Sequence, residues 1–227
     1  MTESTDFIQN ILLRAPGILI GLTIHEFSHG FAAYLRGDPT AKNAGRLSLN
    51  PLSHLDFFGT LMLIFGPFGW AKPVPVNFYN LRNPRWDSAI VSVAGPASNI
   101  ICAAVIGLFL RFINVDLFHS SKEIIYLLMI LKIAYIINIG LSFFNLLPIP
   151  PLDGSHIVLS FLPPSKVQTY LSYTRYVPII FLVLIFIEFS FKIKTISLIL
   201  FPLFIPYYRF WNYLFLGTSE GLLINVY

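Results

Sequence analysis

Ile18-Leu19-Ile20-Gly21-Leu22-Thr23-Ile24-His25-Glu26-Phe27-Ser28-His29-Gly30-Phe31-Ala32-Ala33-Tyr34-Leu35 sets two histidines and a glutamate inside an apolar run. Read as a helix, the run stacks His25 and His29 on one face, in reach of a single tetrahedral ion. Glu26, between them, is placed to act as the base for a metal-bound water. The flanking residues have the character of a membrane span. The pattern therefore points to hydrolytic chemistry within or at the edge of a lipid bilayer.

The whole chain agrees with that setting. Of its 227 residues 56% are hydrophobic and 11% charged, whereas a soluble domain carries about 25% charged residues. The length accommodates one membrane-embedded domain over 1–227, with a core at 8–160 and peripheral helices at 161–227. The net charge of +4 is spread along the loops and reads as a topology signal, which gives no case for a nucleic-acid partner. The single cysteine, Cys102, lies in an apolar run; it excludes an internal disulfide and reads as a packing residue. Residues 1–10, with Glu3 and Asp6, lack the positive start of a signal peptide, so the first span is expected to be retained.

A span needs about 20 apolar residues. Ile8 to Leu35, Ala89 to Ile113 and Ile124 to Leu147 qualify, the third breaking at Pro148-Ile149-Pro150-Pro151. Val177 to Phe191 is shorter and contains Glu188; Ile196 to Phe215 contains Pro202, Pro206 and Arg209. The expected fold is thus an all-α polytopic membrane protein with five to six transmembrane helices. Between the first two long spans, Phe57 to Gly69 is apolar but would reach only roughly 20 Å as a helix. That length suits a re-entrant element. On either side, Gly45 to Asn50 and Lys72 to Asn77 read as short extended pieces, the second confined to a sheet edge by Pro73 and Pro75. Such an edge could receive an extended substrate by strand addition.

If Phe57 to Gly69 does not cross, two full spans separate His29 from Asp153, and both open on the same side. Arg36, Lys42, Arg46, Lys72, Arg82, Arg85, Lys166 and Arg175 fall on that side, against Arg111, Lys122, Lys192 and Lys194 on the other. The excess of positive charge predicts that this side is cytoplasmic.

A catalytic zinc site needs three protein ligands and an open position. Candidates for the third are His54, His119, His156, the carboxylates and Cys102. His119 falls on the opposite side, and Glu188 could reach inward but has nothing preorganised around it. Asp153 is better placed. It follows the proline-broken helix end and precedes Gly154, and a carboxylate at that depth is costly unless paired or metal-bound.

His25-Glu26-Phe27-Ser28-His29 together with Asn145-Leu146-Leu147-Pro148-Ile149-Pro150-Pro151-Leu152-Asp153-Gly154 resembles the site-2 protease family of intramembrane zinc metalloproteases. Gly45-Arg46, Asn50-Pro51-Leu52, Gly69 to Asn77 and Ala94-Gly95-Pro96-Ala97-Ser98-Asn99 extend the likeness over most of residues 18 to 160. The resemblance implies one zinc ion per chain on His25, His29 and Asp153, with Glu26 as general base. It implies that Asn145 lies beside the metal, where its amide could steady a substrate strand or a developing oxyanion. It also implies transmembrane protein substrates cleaved in the bilayer of a bacterial or archaeal cell membrane. Larger members carry a PDZ or nucleotide-sensing domain, and the matching segments here are those of the core alone. Asn99, His54 and His156 read equally well as packing, loop or capping residues.

Overall fold

The computed structural model describes residues 2–65, 69–113 and 121–218. Helix α1 (Thr2–Leu35) carries the histidine pair and is followed by the short α2 (Thr40–Asn43) and by α3 (Phe57–Phe65). Then come α4 (Pro84–Phe112), α5 (Lys122–Asn145), α6 (Asp153–Phe161), α7 (Pro164–Thr174), α8 (Val177–Phe191) and α9 (Ile196–Leu216).

Among the described residues, four helices are long and apolar enough to cross a membrane: Ile8–Leu35, Pro84–Phe112, Lys122–Asn145 and Pro164–Phe191. The fourth joins α7 to the short apolar run anticipated from the sequence. The fifth anticipated run is α9, a helix of 21 residues whose apolar character is diluted by Pro202, Pro206, Arg209 and Asn212. His119, like residues 66–68 of the expected re-entrant element, lies outside the described residues. What precedes 66–68 is α3, nine residues long and about 13 Å from end to end.

The two extended pieces form no strand among the described residues; a single antiparallel bridge joins Leu55 to Ala71. The chemistry of the second piece explains why. Pro73 and Pro75 have no N–H to give, while the Lys72 N–H goes to the His54 carbonyl (2.8 Å) and the Lys72 carbonyl accepts from Arg46 (2.9 Å).

Helices α1, α4 and α5 pack on one another and α6 lies along α4. Small residues make this possible, since association in lipid depends on close backbone approach. A Cβ on Gly17 would stand 2.7 Å from the Ala134 Cα, so α1 and α5 touch there nearly backbone to backbone. At its C-terminal end α1 gives way to a turn at Gly37, whose φ of +108° suits only glycine. The Asp38 N–H then returns to the Ala33 carbonyl (2.9 Å). Arg36 reaches the buried Asp87 at the start of α4 through Nε (2.7 Å) and Nη2 (2.6 Å), which fixes the two helix ends together. Helix α9 docks through Tyr135, whose hydroxyl donates to Asn212 Oδ1 (2.9 Å), around a core that includes Ala103, Ile139, Tyr208 and Phe215.

Gly154 directs the chain into α6. A Cβ there would overlap the Leu146 and Leu147 carbonyl oxygens, so only glycine lets α6 begin directly against the end of α5. Asp153 is carried inward as a result. The far end of α6 is held by Arg85, which donates to the carbonyls of Ser160 (2.7 Å) and Leu162 (3.1 Å).

Candidate metal centre

Helical spacing on α1 places the rings of His25 and His29 edge to face, with centroids 4.6 Å apart. Their Nε2 atoms are 3.0 Å from each other, and each is 3.2 Å from Oδ2 of Asp153. The structure thus brings these three expected residues to one point inside the bundle. Both imidazoles are buried, and Asp153 Oδ2 is buried with no hydrogen-bond partner.

Each ring is oriented from its other nitrogen. His29 Nδ1 lies 2.7 Å from the Val91 carbonyl, which can only accept, so the proton sits on Nδ1. His25 Nδ1 lies 2.7 Å from Oδ1 of Asn99. In the neutral form of each imidazole, Nε2 then turns a lone pair toward a carboxylate oxygen. Three acceptors converging in a low-dielectric interior repel one another unless a cation lies among them.

The spacing fits a tetrahedral ion. Donors held about 2.0–2.1 Å from zinc lie about 3.3–3.4 Å apart, and the three separations here run from 3.0 to 3.2 Å. Two neutral imidazoles and one carboxylate are also a donor set suited to zinc. Gly95 of α4 makes the room: a Cβ there would overlap His29 Nε2 and stand 2.7 Å from His25 Cε1.

Glu26 projects toward the 69–77 segment, where its Oε2 accepts the Val74 N–H (2.8 Å). Asn145 sits at the end of α5, where its amide nitrogen donates to the Leu141 carbonyl (3.0 Å). His54 is buried and bonds the Ser48 carbonyl (2.7 Å). His156 stacks on Phe78 at 5.3 Å. Glu188 accepts the N–H groups of Thr195 and Ser197, both at 3.0 Å, and so caps the start of α9.

Asn138, the Val91 carbonyl and the Val74 N–H are contributors that sequence reasoning did not single out. Asn138 alone left a trace, as an amide in the middle of an apolar run.

Beside the site, between α1 and α5 on one side and α8 on the other, lies an apolar cavity of about 810 Å³. Its lining includes Ile18, Leu141, Phe144, Leu152, Phe181 and Leu182. Leu152, which precedes Asp153 in the chain, belongs to that lining.

Helices of membrane-spanning character around a two-histidine, one-carboxylate cluster describe a membrane metalloenzyme, and comparison with known proteins narrows the class. The family model described as Peptidase family M50 matches residues 113–187, a stretch that contains Asp153. Over 173 residues the chain is 40% identical to "Putative zinc metalloprotease YwhC" of Bacillus subtilis (strain 168), covering 74% of this chain and 77% of that protein. It is 31% identical over 158 residues to Rip2 of Mycolicibacterium smegmatis, named in the same way, covering 65% of this chain and 56% of the relative. Rip2 of Mycobacterium tuberculosis (strain ATCC 25618 / H37Rv) is 30% identical over 75% of this chain and 65% of its own length. No solved structure matches the chain significantly. The chain belongs to peptidase family M50, the site-2 protease family. It is an integral membrane metalloprotease.

Proposed function

We propose that the protein hydrolyses peptide bonds in or near transmembrane segments of membrane-protein substrates, with one zinc ion per chain held by His25, His29 and Asp153. The observation that carries this reading is the convergence of the His25 and His29 Nε2 atoms, each 3.2 Å away, on the buried Oδ2 of Asp153. Zinc bound there would supply an acidified water and polarise the scissile carbonyl.

The chain's own residues do the rest. Glu26 takes the proton from the attacking water and can pass it to the leaving amine. Its carboxylate is steadied by the Val74 N–H, which leaves Oε1 to receive that proton. A membrane helix hides each carbonyl in a bond to the N–H four residues on, so the substrate must unwind before it reaches the site. The apolar cavity between α5 and α8 gives an unwinding segment a place outside water.

The 72–77 segment borders Glu26 and is the natural rail for the unwound strand. Its N–H groups at Lys72, Val74 and Asn77 are engaged within the protein, and Pro73 and Pro75 have none. Strand addition along this stretch therefore draws on its carbonyls and on the N–H of Val76. Asn145 takes the substrate strand or the developing oxyanion once its amide leaves the Leu141 carbonyl. The charge asymmetry of the loops supports a site opening to the cytoplasm of a bacterial or archaeal cell.

Zinc content and cleavage of a membrane-helix substrate in vesicles, with a chelator control, test the reading. Glu26→Gln should keep its zinc and lose roughly 10²–10⁴-fold in turnover, and Asp153→Ala should lose the metal. Parental turnover by Glu26→Gln, or full zinc in Asp153→Ala, would overturn the assignment.

A further inference from the structure

Behind the metal centre lies a chain of buried amides that the proposed hydrolysis does not use. His25 Nδ1 is 2.7 Å from Asn99 Oδ1. The Asn99 side-chain nitrogen donates to the Gly21 carbonyl (2.9 Å) and to Asn138 Oδ1 (2.9 Å). The Asn138 nitrogen in turn donates to the Ala134 carbonyl (2.8 Å). Asn99 and Asn138 are both fully buried, and the chain crosses from α1 to α4 to α5.

The direction of this chain is forced. A backbone carbonyl can only accept, so Ala134 fixes which end of the Asn138 amide is nitrogen. That leaves Asn138 Oδ1 facing Asn99, and Gly21 fixes Asn99 in the same sense. Asn99 Oδ1 must then face His25, which must carry its proton on Nδ1. Rotating the Asn99 amide by half a turn would set oxygen against oxygen at both Gly21 and Asn138. The contrast with His29 is instructive: one carbonyl, Val91, decides its tautomer directly. The tautomer of His25 is decided indirectly, through Asn99, by the Gly21 carbonyl on its own helix and by Asn138 on α5.

We infer that Asn99 and Asn138 form a polarised relay that holds His25 with its Nε2 lone pair open to the metal, making them positioning residues for zinc affinity. The inference rests on the metal site proposed above and deepens it. Without the relay, His25 is free to carry its proton on Nε2, the form that cannot ligate. Partners of this kind typically change metal affinity by about 10–100-fold.

The test uses the full chain in lipid nanodiscs, with zinc affinity measured by chelator competition and apoprotein unfolding measured alongside. Asn99→Leu should weaken zinc binding about 10–100-fold. Asn138→Leu should weaken it by a smaller factor, since the Gly21 carbonyl still holds the Asn99 amide but the bond to Asn138 is gone. Nitrogen-15 shifts of His25 in the metal-free protein should report a proton on Nδ1 in the parent and on Nε2 in a sizeable fraction of Asn138→Leu. That readout stands even if Asn99→Leu fails to fold. Parental affinity in both leucine variants, or a His25 in Asn138→Leu whose proton stays on Nδ1 as fully as in the parent, reduces the network to packing and overturns the inference. Parental affinity in Asp153→Ala overturns the metal site instead, whatever the asparagine variants do.

Discussion

The α1–α4–α5 bundle and the α7–α8 arm are similarly apolar, yet they are built in opposite ways. In the bundle the three spans bury between 22% and 33% of their most apolar windows, while Pro164–Phe191 buries none. Composition explains the difference. Lipid is as apolar as a leucine side chain, so apolarity carries a helix into the membrane without pressing it against a neighbour. Close packing comes from small residues and from hydrogen bonds. The bundle has Gly17 and Gly95 at its crossings and the Asn99–Asn138 amides in its interior. Helix α8, Val-Pro-Ile-Ile-Phe-Leu-Val-Leu-Ile-Phe-Ile-Glu-Phe-Ser-Phe, has neither glycine nor alanine. It is joined to the rest by the Phe144–Phe181 ring contact at 5.5 Å, by Glu188 at the start of α9, and through α7 by the Tyr170 hydroxyl on the Pro148 carbonyl (2.9 Å). The cavity occupies the gap that this arrangement leaves.

The contrast can be broken most sharply at its tight end. In Gly95→Ala the added methyl overlaps His29 and crowds His25, so both imidazoles must shift. Zinc affinity should fall by about 10–100-fold or more, measured by chelator competition; unchanged affinity would mean that close approach of α4 does not define the centre.

An intermediate effect is expected where the bundle meets its loops. Asp38 is fully buried and accepts from the Asn77 N–H (2.7 Å), from Asn80 (2.9 Å) and from the Thr40 hydroxyl. Burial pushes its pKa up, but the bonds from Thr40, Asn80 and Asn77 outweigh it, so the carboxyl titrates below its usual range. Asp38 therefore contributes stability that is full above about pH 4, the unfolded value, and lost as pH falls through the lower folded value. Asp38→Asn should lose about 1.5–3 kcal/mol at neutral pH and flatten the acid limb of a stability–pH curve. An acid limb identical to the parent's would remove Asp38 as an anchor.

The smallest effect belongs to the arm. Phe186 is 64% exposed to the surroundings of α8, and Phe186→Ala should change unfolding in lipid by no more than about 0.5 kcal/mol. A loss comparable to that of a buried aromatic would show that α8 is packed like the bundle, and the contrast would dissolve.

The same division governs what can be read from the sequence. Apolar runs of span length and the four-residue spacing of His25 and His29 are local patterns, so three spans and the histidine face are legible directly. Asp153 is legible because prolines and Gly154 announce a broken helix end. The span count is harder to read. In α9 two prolines and an arginine weaken a helix that still forms, and α7, with almost no net hydropathy, merges with α8 into one stretch. The partners of the site are harder still. Asn138 is 39 residues from Asn99, and Val74 is 48 from Glu26. Nothing local in either distinguishes a residue that holds a functional group from one that merely fills space. The backbone groups of Val91 and Val74 carry no side-chain signature at all. Asn145 illustrates the converse: a prominent motif position whose amide is turned to its own helix.

The grip on Glu26 comes from the main chain, at the one residue of a Pro-Val-Pro triplet that owns an amide hydrogen. Exchanging the isopropyl group at 74 for another side chain leaves that donor intact, and only an imino acid would delete it. The hold on the acid therefore survives any side chain at 74 that the buried surroundings of this residue accept.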